Sequence, residues 1–421
     1  MNPGEMRRSG HWPTLLCAFL YFDISFMIWV LLGALGVGLA AEFHLDAASK
    51  GLMVAVPILG GSILRLGMGI LADRLGAKRT GLLGLATTTI PLLLGYFWVN
   101  SFSQLLVVGL LLGVAGASFA VALPLASRWY PPERQGFVLG IAGAGNSGTL
   151  ISMVFAPRLA PYLGWRGVFA LCLVPVIVTF IVFALFAKDA PGRPAPKKLF
   201  DYVKLLGRAD TYRFCFFYSV TFGGFVGLSS YLPIFFKDRY GIDPVRAGML
   251  TMICGAAGSF LRPVGGYLSD RFGGVSVLSV LFVLLTAAAG LMSTSPPIAL
   301  GMTTLVCATA ILGLGNGSVF QLVPQRFAKD MGVITGWVGA AGGFGGFGLP
   351  IILGRLKQAT GSFGPGFLML AFIGLAASFA IRRIGPAPSE SSHAQPDAEQ
   401  GEFASGNELA PVMASSAFEP T

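Results

Sequence analysis

Twelve apolar stretches of about 20 residues or more follow one another along this chain, and each is long enough to cross the ~30 Å hydrocarbon core of a bilayer as an α-helix. They lie near 14-41, 48-71, 80-99, 104-127, 136-160, 165-187, 211-236, 246-269, 275-294, 297-325, 331-355 and 363-381. Of the 421 residues, 54% are hydrophobic and only 11% charged. A water-soluble domain carries roughly 25% charged residues to cover its surface, so only lipid can hide this chain. The fold class is therefore all-α: a polytopic membrane protein with twelve transmembrane helices. The 58 glycines show neither a collagen period nor the short alternating segments of a membrane barrel. In helical membrane proteins glycine lets helices approach closely.

The spans group as six plus six. A first domain covers 14-187 and a second 211-384, joined by a linker, 188-210, rich in Pro, Lys and Arg. Residues 1-13 form a short N-terminus, and 385-421 a tail poor in bulky apolar residues, which is expected to be disordered. The N-terminal run is too long for a signal-peptide core and contains Asp23, so it is expected to remain as the first span. Cys17, Cys172, Cys215, Cys254 and Cys307 lie inside apolar runs without metal-ligand spacing. His11, His44 and His393 are scattered. No metal site or cofactor is expected.

The net charge of +10 would suggest nucleic acid in a soluble protein, but here topology accounts for it. With both termini on one side, that side receives 19 of the 29 Lys and Arg residues and the other side eight, from Lys50 to Lys357. The positive-inside rule then puts both termini in the cytoplasm of a multi-pass protein of the cell membrane. The two unplaced cations are Arg65 and Arg262, each inside a span. Arg65 sits in ILRLGMGILADRLG and Arg262 in FLRPVGGYLSDRFG, 197 residues apart (65 to 262), as are Asp73 and Asp270. Gly136, Gly140 and Gly143 recur 196 residues on as Gly332, Gly336 and Gly339. The chain is an internal duplication. Each arginine lies eight residues from its Asp-Arg pair, about 12 Å along a helix, which is near the bilayer midplane. There it costs at least ~2.5 kcal/mol. Snorkelling from that depth is difficult, and the sole carboxylate well inside a span, Asp23, cannot neutralise two cations. Paired, permanently protonated guanidinium groups at a midplane suit an anion.

The segment GILADRLGAKR around Asp73 resembles the loop 2-3 motif of the major facilitator superfamily, and SDRFGG is its weaker copy. That resemblance implies two pseudo-symmetric six-helix halves around one midplane site, working by rocking alternating access. It also makes Asp73, Arg74 and Arg79, with Asp270 and Arg271, a conformational latch. A narrower resemblance lies in GIAGAGNSGTLISMVFAPRLAP (140-161) and GWVGAAGGFGGFGLP (336-350), which look like the paired Gly-rich signatures of the nitrate/nitrite porter family. FDISFMIWVLLGALG, KGLMVAVPILGGSILR and GLGNGSVFQLVPQRF agree with it. The resemblance implies that Arg65 and Arg262 bind the anion, with Asn146, Tyr218 (followed by Phe222-Gly223) and Phe119 beside them. GASFAVALPLASRWY departs from the family pattern, which leaves Phe119 the loosest match. Read bottom-up, planar guanidinium forks suit small planar anions, while Phe119 and Tyr218 also read as packing aromatics. The glycines Gly140, Gly143, Gly145, Gly148, Gly336, Gly339 and Gly342 are either packing surfaces or faces on which helices slide.

The expected partners are nitrate, nitrite and the lipid bilayer, with protons added if Asp23 couples transport. Nucleic acid is not expected, and the chain is expected to act as a monomer. Coupling stays open between anion exchange and proton symport. Asp23 is the titratable candidate, expected nearer the cytoplasmic end than the arginines, with a hydrated or cation-paired helix-end residue as its alternative role. Asn316 and Gln321 are polar residues of span 10 that cannot carry a proton charge. A carrier of small carboxylates such as oxalate or formate is the competing transporter. A receptor lacks an output domain here. An enzyme lacks any nucleophile-base pair, phosphate loop or His/Cys/carboxylate cluster.

Overall fold

Helix ends are written into the chain. Asp46, Ser101 and Asp243 each accept a hydrogen bond from a backbone amide three residues on, at 2.8, 3.4 and 3.0 Å, capping helices that would otherwise leave bare donors in the interface. Gly76 and Gly273, at φ 95° and 84°, close the second and eighth spans at equivalent points of the repeat. A side chain at that φ would be strained. The computed structural model describes residues 10–191, 203–327 and 331–384. The first nine residues, much of the linker and the whole of the expected tail, 385-421, lie outside them.

Among the described residues the chain forms twelve helical spans. Span α1 covers 12–42 in three pieces, Trp12–Trp29, Leu31–Ala34 and Gly36–Glu42. The next three are α2 (Ala47–Leu75), α3 (Ala77–Phe97) and α4 (Phe102–Ser127). A 49-residue apolar helical stretch, Val138–Phe186, follows. At ~1.5 Å per residue it is far longer than a bilayer is thick. Gly164, at φ 66°, turns the chain back there, so that α5 runs over 132–163, its start lying ahead of that stretch, and α6 over 165–186. The second half holds α7 (Ala209–Tyr240), α8 (Pro244–Phe272), α9 (Gly274–Ser293), α10 (Ile298–Phe327), α11 (Met331–Thr360) and α12 (Gly364–Arg382).

Burial sorts the spans into an inner and an outer set. In α7, 94% of the most apolar stretch is buried and in α1 72%, against 33% in α9. The exposed large side chains of α3, α6, α9 and α12, among them Ile90, Ile177, Leu284 and Phe372, form an apolar belt that needs hydrocarbon around it. Inside the belt, α2 packs on α11, α5 on α8 and α1 on α7 across the halves.

The side of the molecule away from the chain ends is closed. There Lys50 pairs with Asp238 at 2.8 Å. Gln358 accepts from the Ala48 amide at 2.9 Å and donates to Asp46 at 3.0 Å. Gly33 approaches the Ser230 carbonyl so closely that a Cβ would lie 2.5 Å from it, and Gly51 and Gly354 sit against the backbones of α11 and α2 in the same way. Toward the side of the chain ends, Gly140 of α5 faces open space.

Candidate functional site

Arg65 stands on an unbroken helix, only 1% exposed. Its partners are supplied by a fault in the neighbouring helix. Span α4 breaks at Ala117–Ser118, where the Ala120 amide bonds the Ala117 carbonyl and leaves that of Gly116 free of its usual partner. Arg65 Nε donates to that Gly116 carbonyl at 3.0 Å, and Nη1 donates across the halves to the Gly339 carbonyl at 2.6 Å. The rings of Trp29, Phe119 and Phe222 lie 5.1, 5.5 and 4.8 Å from the guanidinium carbon. Cation–π attraction of this kind strengthens where water is excluded. Nη2 is buried with no hydrogen-bond partner.

Arg262 stands differently. Span α8 is interrupted at Leu261, so Arg262 opens its second piece with Pro263 directly after it. It is half-buried, with the Phe119 ring at 5.6 Å and the Phe320 ring at 5.8 Å. Its Nη1 is buried and unbonded. Among the described residues neither arginine forms an ion pair. Both guanidinium groups face the single ring of Phe119, and each also lies against the Gly-rich helix of the opposite half. A Cβ on Gly339 would sit 3.8 Å from Arg65, and one on its repeat-mate Gly143 would sit 3.7 Å from Arg262.

The remaining expected residues gather here too. Asn146 occupies a short 3₁₀ turn, Ala144–Ser147, within α5; it is 1% exposed, with both amide atoms unpartnered. Tyr218 is the last residue before a π-helical turn, Ser219–Gly223, in α7. Its ring stacks on Phe222 (5.0 Å, 8°) and meets the edge of Phe320 at 4.9 Å. The Tyr218 hydroxyl is buried within electrostatic reach of both arginines and close enough to Arg262 for a side-chain hydrogen bond, though not in ideal hydrogen-bond geometry. Phe119, Asn146, Tyr218 and Arg262 thus all sit at interruptions of their helices, the places where π and 3₁₀ turns commonly mark function.

The other expected residues disperse. Asp23 is 6% exposed and accepts a hydrogen bond from Ser147, next to Asn146. It does not lie nearer the chain-end side than the arginines. Because α1 begins at Trp12, Asp23 is about as far along its helix as Arg65 is from Leu75. Its neighbour Phe22 packs on Phe119 at 5.7 Å. Asp73 pairs with Arg128 at 2.8 Å, within its own half, and Asp270 accepts from Gln321 at 3.0 Å. Arg74, Arg79 and Arg271 are exposed at the same face. The glycines divide. Gly145 and Gly148 are pressed against α1, at Phe22 and the Asp23 backbone, and Gly342 against the Tyr218 ring. Gly140 meets open space, and Gly336 is only in ordinary contact with Leu66.

This architecture matches a known family. The model of the Major Facilitator Superfamily matches residues 16–350. A nitrite extrusion protein of Bacillus subtilis is 36% identical over 360 residues, 84% of this chain and 89% of that protein. A probable nitrate/nitrite antiporter of Thermus thermophilus is 34% identical over 85% of this chain and 88% of its own length. The chain belongs to the nitrate/nitrite porter family of the major facilitator superfamily. Solved structures agree on the fold: the human organic anion transporter MFSD10 (TETRAN) superposes with a TM-score of 0.71 at 15% identity, covering 90% of this chain and all of that one. A bacterial homologue of the lysosomal transporter Spinster, inward-facing and occupied, superposes at 0.63 with 18% identity over 87% of this chain and 90% of its own. This family member is thus a transporter and not an enzyme.

Sequence reasoning missed the aromatic wall of this porter. Trp29, Phe222 and Phe320 enclose the arginines as closely as Phe119 does. Phe222 was within reach, four residues after Tyr218 on one helix face. Trp29 and Phe320 lie in FDISFMIWVLLGALG and GLGNGSVFQLVPQRF, segments that agree with the family, but nothing there attached a role to either ring.

Proposed function

We propose that this porter moves nitrate and nitrite across the cytoplasmic membrane by alternating access, holding the anion between Arg65 and Arg262. One observation carries the reading: two midplane guanidinium groups, without an ion-pair partner among the described residues, share the face of Phe119 and keep a buried, unbonded N–H group each. A buried donor left unsatisfied is costly, and a small trigonal anion with three acceptor oxygens satisfies two such forks at once. Asn146, unpartnered at both amide atoms, and the Tyr218 hydroxyl beside Arg262 add neutral polar atoms, and the aromatic rings fit a flat ligand. The names of the relatives support the same substrates for this chain.

Both termini are cytoplasmic in this reading, so the side closed by Lys50 and Asp238 is the outer one. An empty carrier would return with two uncompensated positive charges in its centre, a state that resists reorientation. Exchange of one anion for another follows. Asp23 serves in it as a fixed acceptor for Ser147, while the Asp73–Arg128 contact braces the cytoplasmic end of the first half.

The test is counterflow in proteoliposomes loaded with nitrite, chloride, formate or nothing, with internal pH followed while labelled nitrate enters. Uptake that depends on internal nitrite is the expected result. Entry with acidification into anion-free liposomes would replace exchange by proton symport and bring Asp23 into the coupling. Uptake of formate or oxalate in preference to nitrate would overturn the substrate.

A further inference from the structure

We propose that Asn316 of α10 is a further anion contact, supplying the second half with the neutral donor that Asn146 supplies in the first; this rests on the reading of an anion held between the two arginines. Asn316 is wholly buried, at 0% exposure, and neither atom of its amide has a hydrogen-bond partner. Its only fellow in that condition among the described asparagines is Asn146. A buried primary amide has two donor hydrogens and an acceptor oxygen, and proteins do not ordinarily leave both ends unpaired.

Its direction follows from its helical neighbours. Residue 315 faces α7, since a Cβ on Gly315 would meet Thr221 at 2.6 Å, inside the π-helical turn. Residue 317 faces α8, for Gly317 lies against the Arg262 carbonyl. Successive residues are about 100° apart on a helix, so Asn316 points between those two contacts, toward the wedge between the α7 turn and the α8 break. Phe320, one turn further on, occupies the same sector and touches Tyr218, Phe119 and Arg262.

The repeat makes the same point independently. Gly113, Gly116, Ser118 and Pro124 of α4 correspond at a spacing of 200 to Gly313, Asn316, Ser318 and Pro324 of α10. Where the first half has Gly116, whose carbonyl accepts from Arg65 Nε, the second half has Asn316, whose neighbour Gly317 lies against the backbone of Arg262, and Arg262 Nη1 is unbonded. The carboxamide can turn its oxygen toward Arg262 and its N–H groups toward a bound anion. That donor geometry suits a trigonal oxyanion more than a spherical halide.

The test uses the full chain in detergent and asks how much nitrate is needed to raise its thermal stability, with nitrate counterflow as the second readout. Asn316→Ala, folded as judged by gel filtration, should need about tenfold more nitrate, the loss of one hydrogen bond to a charged group. Asn316→Asp should lose the response at neutral pH and regain it on acidification, because a protonated carboxyl can donate where a carboxylate repels; a packing role would not produce that pH profile. If Asn316→Ala does not fold, Asn316→Ser carries the same comparison. A half-saturating nitrate concentration in the alanine or serine variant equal to the unsubstituted protein's overturns the inference. If the unsubstituted protein itself ignores nitrate and nitrite, the functional reading fails instead, and that result is distinct.

Discussion

Arg65 and Arg262 are copies of one position in a duplicated sequence, yet the protein holds them in opposite ways. Arg65 sits on a continuous helix, donates to carbonyls of both halves, and is enclosed by three aromatic rings. Arg262 begins a new helical piece after a break, is half-buried and touches two rings. The first arginine is part of the scaffold. The second has fewer fixed partners, and in the proposed reading the anion supplies the rest. If the pair holds the proposed anion, the carrier has one fixed jaw and one that can respond.

The largest expected effect tests that asymmetry directly. Lysine keeps the charge and loses the planar fork, so Arg65→Lys and Arg262→Lys should each lower nitrate uptake by about a hundredfold or more, as two charge-assisted bonds are lost. Their stabilities should part: without nitrate, Arg65→Lys should be roughly 3 kcal/mol less stable, having lost two hydrogen bonds to buried carbonyls, while Arg262→Lys stays close to the parent. Equal thermal shifts in the two variants would break the comparison.

The glycines beside the jaws come next. Gly148→Ala drives a methyl group into the Asp23 carbonyl at the α1–α5 contact and should cost about 3 kcal/mol, the upper end of ordinary overpacking. Gly140→Ala points into open space on the same helix and should be neutral or stabilising by ~0.5 kcal/mol. Melting curves of both variants separate a packing role from a sliding one. Weaker again are the aromatic substitutions. Trp29→Leu, which also removes a 2.7 Å hydrogen bond to the Pro57 carbonyl, should cost ~1–2 kcal/mol of stability. Phe320→Leu should instead raise the nitrate KM about threefold, the worth of a partly buried cation–π contact.

At the face away from the chain ends, Lys50→Ala removes a partly buried ion pair worth ~1 kcal/mol. The outward-open population should rise about fivefold, read by labelling of a cysteine introduced on that side, and the exchanged pair Lys50→Asp with Asp238→Lys should reverse the change. The smallest effect is on pH. Hydrogen bonds from Ser49 and Gln358 hold the Asp46 carboxyl below its ordinary range. Its contribution to closure on that side is present above that range and lost as pH falls through the lowered value. Asp46→Asn should flatten that acid limb in an accessibility titration, and an unchanged limb would remove Asp46 from the gate.

Much of this was legible in the chain. Apolar runs of bilayer length identify the spans, because backbone groups in lipid must be satisfied within a helix. Counting cations isolated Arg65 and Arg262, because a charge at that depth is too costly to be incidental. Resemblance added Asn146, Tyr218 and Phe119, which the fold brings to the same centre. What could not be read were the helix breaks in α4, α5, α7 and α8, since a break is stabilised by what its freed carbonyls and amides meet in other helices. For the same reason the family-like segments around Trp29 and Phe320 did not show that their rings meet the arginines, and nothing local gave Asp23 its depth.

By itself, then, the sequence determined a twelve-span duplicated membrane protein with two arginines at equivalent depths, because hydrophobic length and charge cost are properties of each segment alone. Only the tertiary structure decided that the two arginines differ. Whether a guanidinium finds a carbonyl or waits for a ligand depends on where a neighbouring helix breaks, and that is a property of the packed molecule.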